Sequence, residues 1–280
     1  MADTRTPGYG QVDREYAMRL ATTPPADDGP IWMVNLMSYR DRAVYPDGVH
    51  GGDETAISGR EADDRYAPLD VLADIGAEVV FAGDVQDQLL GESPKWHRIG
   101  VVKYPTRRSF IDMQSRPDFV ERHVHKEAGM AQTIVAGCTP IPSPADAPNA
   151  PAFVDWTDVP HPPTDDDGPA MVLHFIRFHP GKAGTDMVDY QNHAAGVAVQ
   201  HGIRISGWFG VEGTIVGDGR SWDQARFNLF PSKAAFMAVV LDPARLEAQA
   251  NHREVAIADT YTLIIRPTIN RIEESRLGII

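Results

Sequence analysis

The chain has 280 residues, of which 42% are hydrophobic and 23% charged, and its formal net charge is −13. This composition is typical of a globular protein. The acidic balance argues against a nucleic-acid partner, because phosphate backbones repel it. No apolar run approaches the roughly 20 residues that span a bilayer, and the polar stretch Met1–Gln11 has no apolar core of a secretory signal. We therefore expect a cytoplasmic protein without a membrane partner.

The single cysteine, Cys138, cannot form an intrachain disulfide and cannot build a cysteine zinc site. It lies in the apolar stretch Ile134–Cys138, so we interpret it as a small buried hydrophobic residue. The chain contains no zinc, EF-hand, P-loop or dinucleotide fingerprint. Motifs therefore predict no cofactor and no metal site.

The two halves of the chain resemble each other. Residues 29–36 align with residues 168–175, which places Asn35 and His174 at corresponding positions. Order and spacing persist over the following residues, which makes chance a poor explanation and indicates a tandem duplication. The further matches are Gly76 with Gly202, Gly91 with Gly217, Trp96 with Trp222, Tyr104-Pro105 with Phe230-Pro231, and His125-Lys126-Glu127 with His252-Arg253-Glu254.

The first copy is predicted to run strand, helix, strand, strand, helix, strand. Ser58 with Glu61 forms a capping-box pattern at the start of the first helix, and Gly76 suits its end. Thr106 can cap the second helical region, which Pro117 interrupts and restarts as a first-turn proline. The predicted elements are strand Ile31–Tyr39, helix Arg60–Ile75, strands Glu78–Leu90 and Lys95–Tyr104, helices between Thr106 and Gly129, and strand Thr133–Thr139.

The second copy repeats this order. Its predicted elements are strand Met171–Phe178, helix Asp186–His201, strands Ile203–Val216 and Ser221–Phe230, helices Ser232–Ala258, and strand Tyr261–Arg266. The stretch 140–169 is rich in Pro, Ala and Asp, which suits an extended, exposed connection. The predicted organisation is an N-terminal extension (1–28), a first module (29–140), a linker (141–167) and a second module with a C-terminal tail (168–280).

The order of elements is that of the split βαβ, ferredoxin-like motif. Such a sheet covers one face with its own helices, and its other apolar face needs a partner. The second copy can supply that partner. We therefore predict an α+β fold of tandem ferredoxin-like βαββαβ modules whose sheets pair around a shared small-molecule cavity.

The first copy also carries a family resemblance. The segments Val34–Arg40, Arg42–Gly48, Ser58–Ala62 and Trp96–Phe110, with the later His125, resemble the domain of unknown function 1330 family. That family is similar to the dimeric α/β-barrel superfamily, so the resemblance implies a dimeric-type α/β barrel. It covers about residues 30–140 well and 168–268 less well. It implies no single activity, because the superfamily hosts monooxygenases, haem-modifying enzymes, isomerases, lyases and non-enzymes.

Asn35 and His174 are the first candidate site residues. Each is a polar residue inside an apolar strand, which is costly unless it is paired or lines a wet cavity. One interpretation places both in a central pocket, with His174 as catalytic acid or base and Asn35 as a substrate-binding donor. The alternative is a satisfied buried pair that fixes the sheets.

His123 and His125 are further candidate catalytic residues. Glu121 and His125 share a helix face at i,i+4, as do His123 and Glu127. A carboxylate beside a histidine raises its pKa and fixes its tautomer. The same pattern also fits a solvated ion pair.

The long connection after the first strand, Asp41–Gly59, could act as a lid or binding segment. We take Tyr39 beside it as a candidate catalytic residue, and Arg40 and Arg42 as groups that could hold a substrate oxygen. The remaining candidate substrate-binding residues are Tyr45 in this loop, and Trp96 and His97 further along the chain.

We favour an enzyme that acts on a partly apolar small molecule by cofactor-independent acid–base chemistry, as an isomerase, cyclase or lyase, or by oxygenation. A haem- or metal-dependent oxidoreductase and a non-catalytic binding protein remain the alternatives. Whether the chain forms a homodimer is left open.

Overall fold

The computed structural model describes residues 7–46, 57–148, 153–183, 196–248 and 253–280. The chain divides into two compact units. Unit 1 comprises Met1–Ala82, Pro94–Thr139 and Val211–Ser221, and unit 2 comprises Gly83–Ser93, Pro140–Gly210 and Trp222–Ile280. The units share most of their residues with the predicted modules, but 83–93 belongs to unit 2, and 1–28 and 211–221 belong to unit 1.

The strands are antiparallel wherever their register is known. They are β1 (Gln11–Val12), β2 (Ile31–Tyr39), β3 (Glu78–Leu90), β4 (Arg98–Tyr104), β5 (Met130–Ile141), β6 (Ala170–Phe178), β7 (Arg204–Gly217), β8 (Gln224–Phe230) and β9 (Ile257–Asn270). In unit 1 they lie in the order β1-β7-β5-β2-β4-β3, and in unit 2 in the order β3-β9-β6-β8-β7. The strand predictions hold in position, although β4 and β8 start later and β5 and β9 run longer than predicted.

The helices of unit 1 are α1 (Arg14–Thr22), α2 (Gly59–Tyr66), α3 (Leu69–Asp74), α4 (Arg107–Met113) and α5 (Pro117–Gly129). The capping boxes at Ser58 and Thr106 are both formed, and Pro117 begins α5 as predicted. Gly76 takes the positive φ expected beyond a helix end.

The single helix predicted for residues 60–75 is wrong. Ala67 leaves the helical region, with φ −36° and ψ 98°, and Pro68 follows it. A proline disfavours the helical conformation of the residue before it and has no N–H to donate. The chain therefore forms two short helices, α2 and α3.

Unit 2 has the described helical residues 196–200, followed by α6 (Lys233–Leu241), α7 (Pro243–Ala248), α8 (Glu254–Ala256) and α9 (Ile272–Arg276). The predicted helix 186–201 is described only from 196. The helical region predicted to reach residue 258 ends at 256, where β9 begins. Among the described residues, we find no helix with the length and apolar character needed to cross a membrane.

The stretch 140–169 is not simply exposed, contrary to the prediction. Within unit 2 the Trp156 indole donates to the carbonyl of Gly202 at 2.8 Å, and Val159 is buried. The carboxylate of Asp167 accepts from the backbone N–H groups of Lys233 and Ala234, at the first turn of α6. The acidic residues of this stretch thus include a helix cap.

Both faces of β2 are buried, which explains its uninterrupted apolar sequence. On one face, Ile31 and Met33 pack in a cluster with Phe110 of α4 and Phe119 of α5. The opposite face carries Val34, Leu36, Ile99, Val101, Ile134 and Ala136, none of which has accessible surface. We call the first the helix-covered face of unit 1.

Tyr16 of α1 anchors the N-terminal segment in this core. Its side chain is 1% exposed, and among the described residues its hydroxyl has no hydrogen-bond partner. A Cβ placed on Gly137 would lie 1.9 Å from that hydroxyl oxygen. The glycine at 137 is therefore required by the close approach of Tyr16.

We expect Gly137→Ala to lower the free energy of unfolding by about 1–3 kcal/mol through overpacking. Tyr16→Phe should be neutral or stabilising, because it removes a buried hydroxyl without a partner. In the double variant the alanine should cost less than in the wild-type background, since the clashing oxygen is gone. Denaturant unfolding measures all three. Gly29→Ala is the control, because a Cβ there meets nothing within 4 Å. Strictly additive effects would contradict the packing argument.

Candidate functional site

The structure brings several of the predicted site residues together in unit 1, where nine of the ten lie: Asn35, Tyr39, Arg40, Arg42, Tyr45, Trp96, His97, His123 and His125. The tenth, His174, belongs to unit 2. We describe the two units separately.

Asn35 and His174 lie on the helix-packed sides of β2 and β6, whereas the central-pocket interpretation placed both on the sheet faces away from the helices. Asn35 lies opposite Val135, on the helix-covered face. In unit 2, Val172 packs against α6, and His174, two residues further along β6, takes the same side. The prediction of equivalent faces is confirmed, but the predicted face is wrong. Asn35 donates to the carbonyl of Met33 within its own strand, at 2.9 Å, so its side chain is satisfied locally, and both the substrate-binding role and the pair that fixes the sheets stay predictions.

The predicted residue Tyr39 ends β2 in a buried polar network. Its hydroxyl donates to Asp63 Oδ2 at 2.6 Å, and both side chains are buried. Arg98 Nη1 approaches the same carboxylate oxygen at 3.6 Å and bonds Asp64 at 2.8 Å. Burial raises the pKa of Asp63, while the Tyr39 hydrogen bond and the charges of Lys126 and Arg98 oppose that rise. Burial and Asp63 together hold the Tyr39 pKa above its usual range, so its hydroxyl keeps its proton.

His97 supports Tyr39 from the other side. Its Nδ1 accepts the backbone N–H of Tyr39 at 2.9 Å, and the two rings stack with centroids 5.8 Å apart. The His97 side chain is exposed and precedes β4. Its observed contacts therefore position Tyr39 at the end of β2.

Lys126 of α5 is the second ionisable centre of this network. Its ammonium nitrogen lies 5.2 Å from the ring centroid of Tyr66 and 6.0 Å from that of Tyr9. Burial lowers the pKa of Lys126, and the charge of Asp63 opposes that lowering. The residue nevertheless keeps accessible surface. Lys126 therefore combines an amine whose pKa is lowered with a residue that is not fully buried.

His123 lies one helical turn before Lys126. Its Nε2 is 3.3 Å from the Tyr9 hydroxyl, and its ring packs edge-on against Tyr66. Burial, followed by the charge of Lys126, lowers the His123 pKa from its ordinary 6.5 to about 4. The imidazole is therefore uncharged at neutral pH, and its 3.7 Å approach to Glu127 is no ion pair there. We call Tyr9, Tyr39, Asp63, Tyr66, Arg98, His123 and Lys126 the Lys126 network.

Tyr45 and His125 form a separate pair. The Tyr45 hydroxyl lies 2.8 Å from His125 Nδ1, with the rings edge-on. Tyr45 is buried in a small apolar cluster with Ala43, Ala62 and Ala128. This pair fastens the described start of the long connection to α2 and α5. Residues 47–56 of the connection, with His50, lie outside the described residues.

Three predicted residues have other placements. Arg40 exchanges backbone hydrogen bonds with Gly59 and Gly129, so its main chain joins the start of α2 to the end of α5. Arg42 is exposed, and Trp96 is 3% exposed. The substrate-binding role of these three side chains stays a prediction.

In unit 2, His174 lies directly opposite Arg226 of β8 and Thr262 of β9. Its Nδ1 is 3.2 Å from the Thr262 hydroxyl. Burial lowers the His174 pKa well below its ordinary value, and Arg253, Arg226 and Arg245 lower it further. We call His174, Arg226, Arg245, Arg253 and Thr262 the His174 cluster. The predicted repeat partner of His125, His252, lies outside the described residues.

In the described ranges, no three or more His, Cys, Asp or Glu side chains are grouped to hold a metal ion.

Comparison with solved structures identifies similar folds. The chain resembles an anthrone oxidase-like protein at 13% identity and TM-score 0.53, covering 87% of this chain and 93% of that protein. It also resembles a protein of unknown function from Rhodopseudomonas palustris (26%, TM-score 0.41, 49% and 99% covered) and a mutant chlorite dismutase from Candidatus Nitrospira defluvii (11%, TM-score 0.47, 95% and 98% covered). Neither protein-family models nor curated proteins match. At 13% identity the anthrone oxidase-like structure shows a similar fold and no more, and the resemblance to the 1330 family and its superfamily stays a prediction.

The sequence analysis missed five members of the Lys126 network, namely Tyr9, Asp63, Tyr66, Arg98 and Lys126. Asp63 and Lys126 lie in charged helical segments that resemble solvated helix faces. The sequence did hold a signal for each residue. Asp63 follows the capping box by two residues, and Lys126 directly follows the candidate residue His125. Their burial comes from Tyr9 and Tyr39, which are distant in sequence.

Stability should fall as pH drops from 6.5 towards 4, partly because of His123. Its folded-state pKa is about 4 and its ordinary value is 6.5, so in this window the unfolded chain binds a proton that the folded chain excludes. His123→Gln should lose less stability over this window than the wild-type protein. Unfolding by denaturant across pH 4–8 measures this, with pH 8, where both states are unprotonated, as the reference. Identical slopes for the two proteins would contradict the assignment.

Proposed function

We propose that the chain is an enzyme that transfers a proton to or from a small, partly apolar organic molecule at the Lys126 network. The observation that carries this proposal is the joint burial of Asp63 and Lys126, which moves the carboxyl pKa up and the amine pKa down. Acid–base catalysts work best with a pKa near the working pH. Paired shifts of this kind are a recognised sign of a functional site.

Lys126 is the proposed general base and acid. In its uncharged form the amine can accept a proton from a carbon or oxygen acid, and the resulting ammonium faces the Tyr9 and Tyr66 rings and the charge of Asp63. Cation–π contact and an opposite charge both stabilise that ammonium. His123, with a pKa of about 4, is a poorer base and is proposed as a neutral hydrogen-bonding neighbour.

Asp63 and Tyr39 are proposed as positioning residues. Tyr39 holds one Asp63 oxygen at 2.6 Å, and His97 fixes the Tyr39 backbone. The aromatic rings of Tyr9 and Tyr66 offer an apolar wall for substrate. Tyr39, His123 and His97 thus keep roles near the site, while His125 with Tyr45 supports it through α2 and α5.

We also infer that the chain is a tandem of ferredoxin-like modules. The first copy has the strand order β5-β2-β4-β3 and the second has β9-β6-β8-β7. When the four strands of each copy are numbered in chain order, both sheets have the strand order 4-1-3-2. The registers also correspond, with Asn35 opposite Gly100 and Val135, and His174 opposite Arg226 and Thr262.

Substitution of Lys126 tests the proposal. Lys126→Met keeps the length and apolar stem but removes the amine, and we expect proton transfer to fall about 10²–10⁴-fold with the fold retained. The probes are 1,3-diketones, hydroxylated aromatic compounds and anthrone, with carbon–deuterium exchange in D₂O followed by NMR and oxygen uptake by electrode. Anthrone is included because an anthrone oxidase-like protein shares the fold, and oxygen uptake would indicate the oxygenase variant.

Lys103→Met is the matched control. Lys103 Nζ lies 5.7 Å from the ring centroid of Trp32, so it also contacts an aromatic ring, but it is outside the Lys126 network. It should keep wild-type rates. Equal losses in both variants, or full activity of Lys126→Met, would exclude Lys126 as the base.

The pH profile tests Asp63 separately. The charge of Asp63 raises the Lys126 pKa, so Asp63→Asn should lower it. The ascending limb of the activity profile, which reports the uncharged amine, should then move to lower pH. A limb that stays in place while activity drops would assign Asp63 a purely structural role.

A further inference from the structure

The end of β2 is held by a hydrogen bond to a side chain. Met37 pairs with Arg98, the first residue of β4, and its carbonyl accepts the backbone N–H of His97 at 2.8 Å. Tyr39, two residues further along β2, lies beyond the start of β4. Its backbone N–H is accepted by Nδ1 of His97 at 2.9 Å. The imidazole therefore takes the place of a main-chain carbonyl at this strand end.

Unit 2 makes the same pair of contacts with a different side chain. Ile176 of β6 pairs with Gln224, the first residue of β8, and its carbonyl accepts the backbone N–H of Asp223 at 2.8 Å. The carboxylate Oδ2 of Asp223 accepts the backbone N–H of Phe178 at 2.7 Å. Both halves of the chain thus fix the end of a central strand through the residue that precedes its neighbour, by a side-chain acceptor.

The two acceptors differ in their response to acid. A neutral imidazole accepts at one nitrogen and donates from the other, whereas an imidazolium only donates. Because the Tyr39 N–H can only donate, His97 must carry its proton on Nε2 in this contact. A second proton, on Nδ1, would set two donors against each other and end the hydrogen bond. A carboxyl group keeps an oxygen acceptor in both of its forms, so the contact of Asp223 with Phe178 has no such limit.

Tyr39 connects this contact to the Lys126 network. His97 is exposed, and its ring stacks on the buried ring of Tyr39 with centroids 5.8 Å apart and planes 10° apart. The Tyr39 hydroxyl donates to Asp63 Oδ2 at 2.6 Å. In unit 2 the residue at this position is Phe178, which has no hydroxyl to donate. Only in unit 1, therefore, does the side-chain acceptor position a residue that holds a buried carboxyl group.

The charges near His97 disfavour a second proton on its ring. The carboxylates of α2 are already held, because Arg98 Nη1 lies 2.8 Å from Asp64 Oδ1 and 3.6 Å from Asp63 Oδ2. The charged residues beside His97 in the chain, beside Tyr39 and on α2 are Lys95, Arg98, Arg40, Arg60, Asp63 and Asp64. Arg60 also places its guanidinium carbon 5.8 Å from the centroid of the Tyr39 ring. An imidazolium stacked on that ring would add a further cation, which favours its departure.

We propose that His97 is a proton-sensitive positioning residue, whose Nε2-protonated tautomer holds Tyr39 in place for Asp63 and whose second proton releases Tyr39. Acid then acts on the Lys126 network through Tyr39 as well as by protonating Lys126. The effect on the reaction rate rests on the proposed function, whereas the effect on the Tyr39 backbone does not.

NMR of the isotope-labelled full chain tests this role without any substrate. At neutral pH the His97 ring should have a bare Nδ1 and a protonated Nε2. As pH falls from about 8 to 5, where imidazoles titrate, protonation of His97 should lower the hydrogen-exchange protection of the Tyr39 amide about 10-fold, as expected for one lost hydrogen bond. The Phe178 amide is the internal control and should keep its protection. A Tyr39 amide that stays protected once His97 is protonated, or a proton on Nδ1 at neutral pH, would overturn the proposal.

Two variants separate the acceptor from the titration. His97→Asp gives unit 1 the acceptor that unit 2 has, and the Tyr39 amide should stay protected over the whole pH range. His97→Leu removes the acceptor, and the amide should be exposed to exchange at every pH. The opposite result in either variant would overturn the role of His97, and the wild-type titration decides alone should a variant fail to fold.

Reaction rates connect the switch to the proposed function. The wild-type rate should fall more steeply in acid than the rate of His97→Asp, because two groups titrate in the wild-type protein and one in the variant. Equal steepness would overturn the link between Tyr39 and the Lys126 network. Full activity of Lys126→Met would instead reject the proposed function and leave the result at the Tyr39 amide standing, so the two failures are distinguishable.

Discussion

The structure depends on one constraint, the burial of both faces of each central strand. In unit 1, Val34 and Leu36 close one face of β2 with no accessible surface, and in unit 2, Leu173 and Phe175 do the same for β6. A polar side chain on those faces would meet only apolar neighbours, and burial without a partner costs roughly 2–7 kcal/mol. Asn35 and His174 lie on the opposite faces, where Asn35 donates to the Met33 carbonyl and His174 Nδ1 lies 3.2 Å from the Thr262 hydroxyl.

The same burial sets the chemistry of the helix-covered faces. Loss of hydration is the leading cause of the lowered pKa of Lys126, His123 and His174 and of the raised pKa of Asp63. Neighbouring charges act on top of this, and they act strongly because little water screens them. In unit 1 the neighbours of Lys126 include a carboxylate and two aromatic rings, which leave the amine able to exchange its proton.

The sequence correctly predicted those features that depend on residues close together in the chain. The run 31–39, the capping box at Ser58 and the restart at Pro117 are all observed, because each depends on residues close in the chain. The alternation of side chains along a strand correctly placed Asn35 and His174 on equivalent faces. It does not indicate, however, which of the two faces of the sheet the helices cover. Lys126 resembled a solvated helix residue, because its burial requires Tyr9 from a segment more than a hundred residues away.

The corresponding strand registers of the two proposed copies explain how one strand order can hold two different electrostatic environments. The strand registers of the two copies correspond, so a substitution in one copy changes side-chain chemistry without changing backbone pairing. At one equivalent position, Gly100 leaves space next to Met37, whereas Arg226 fills the same position with a buried guanidinium fixed by Trp208. Burial lowers the pKa of the nearby His174, the charges of Arg253, Arg226 and Arg245 lower it further, and the imidazole is therefore a poor proton acceptor. The second half of the chain, where Arg226 stands in place of Gly100, is thus less suited to acid–base work at His174 than the first half is at Lys126.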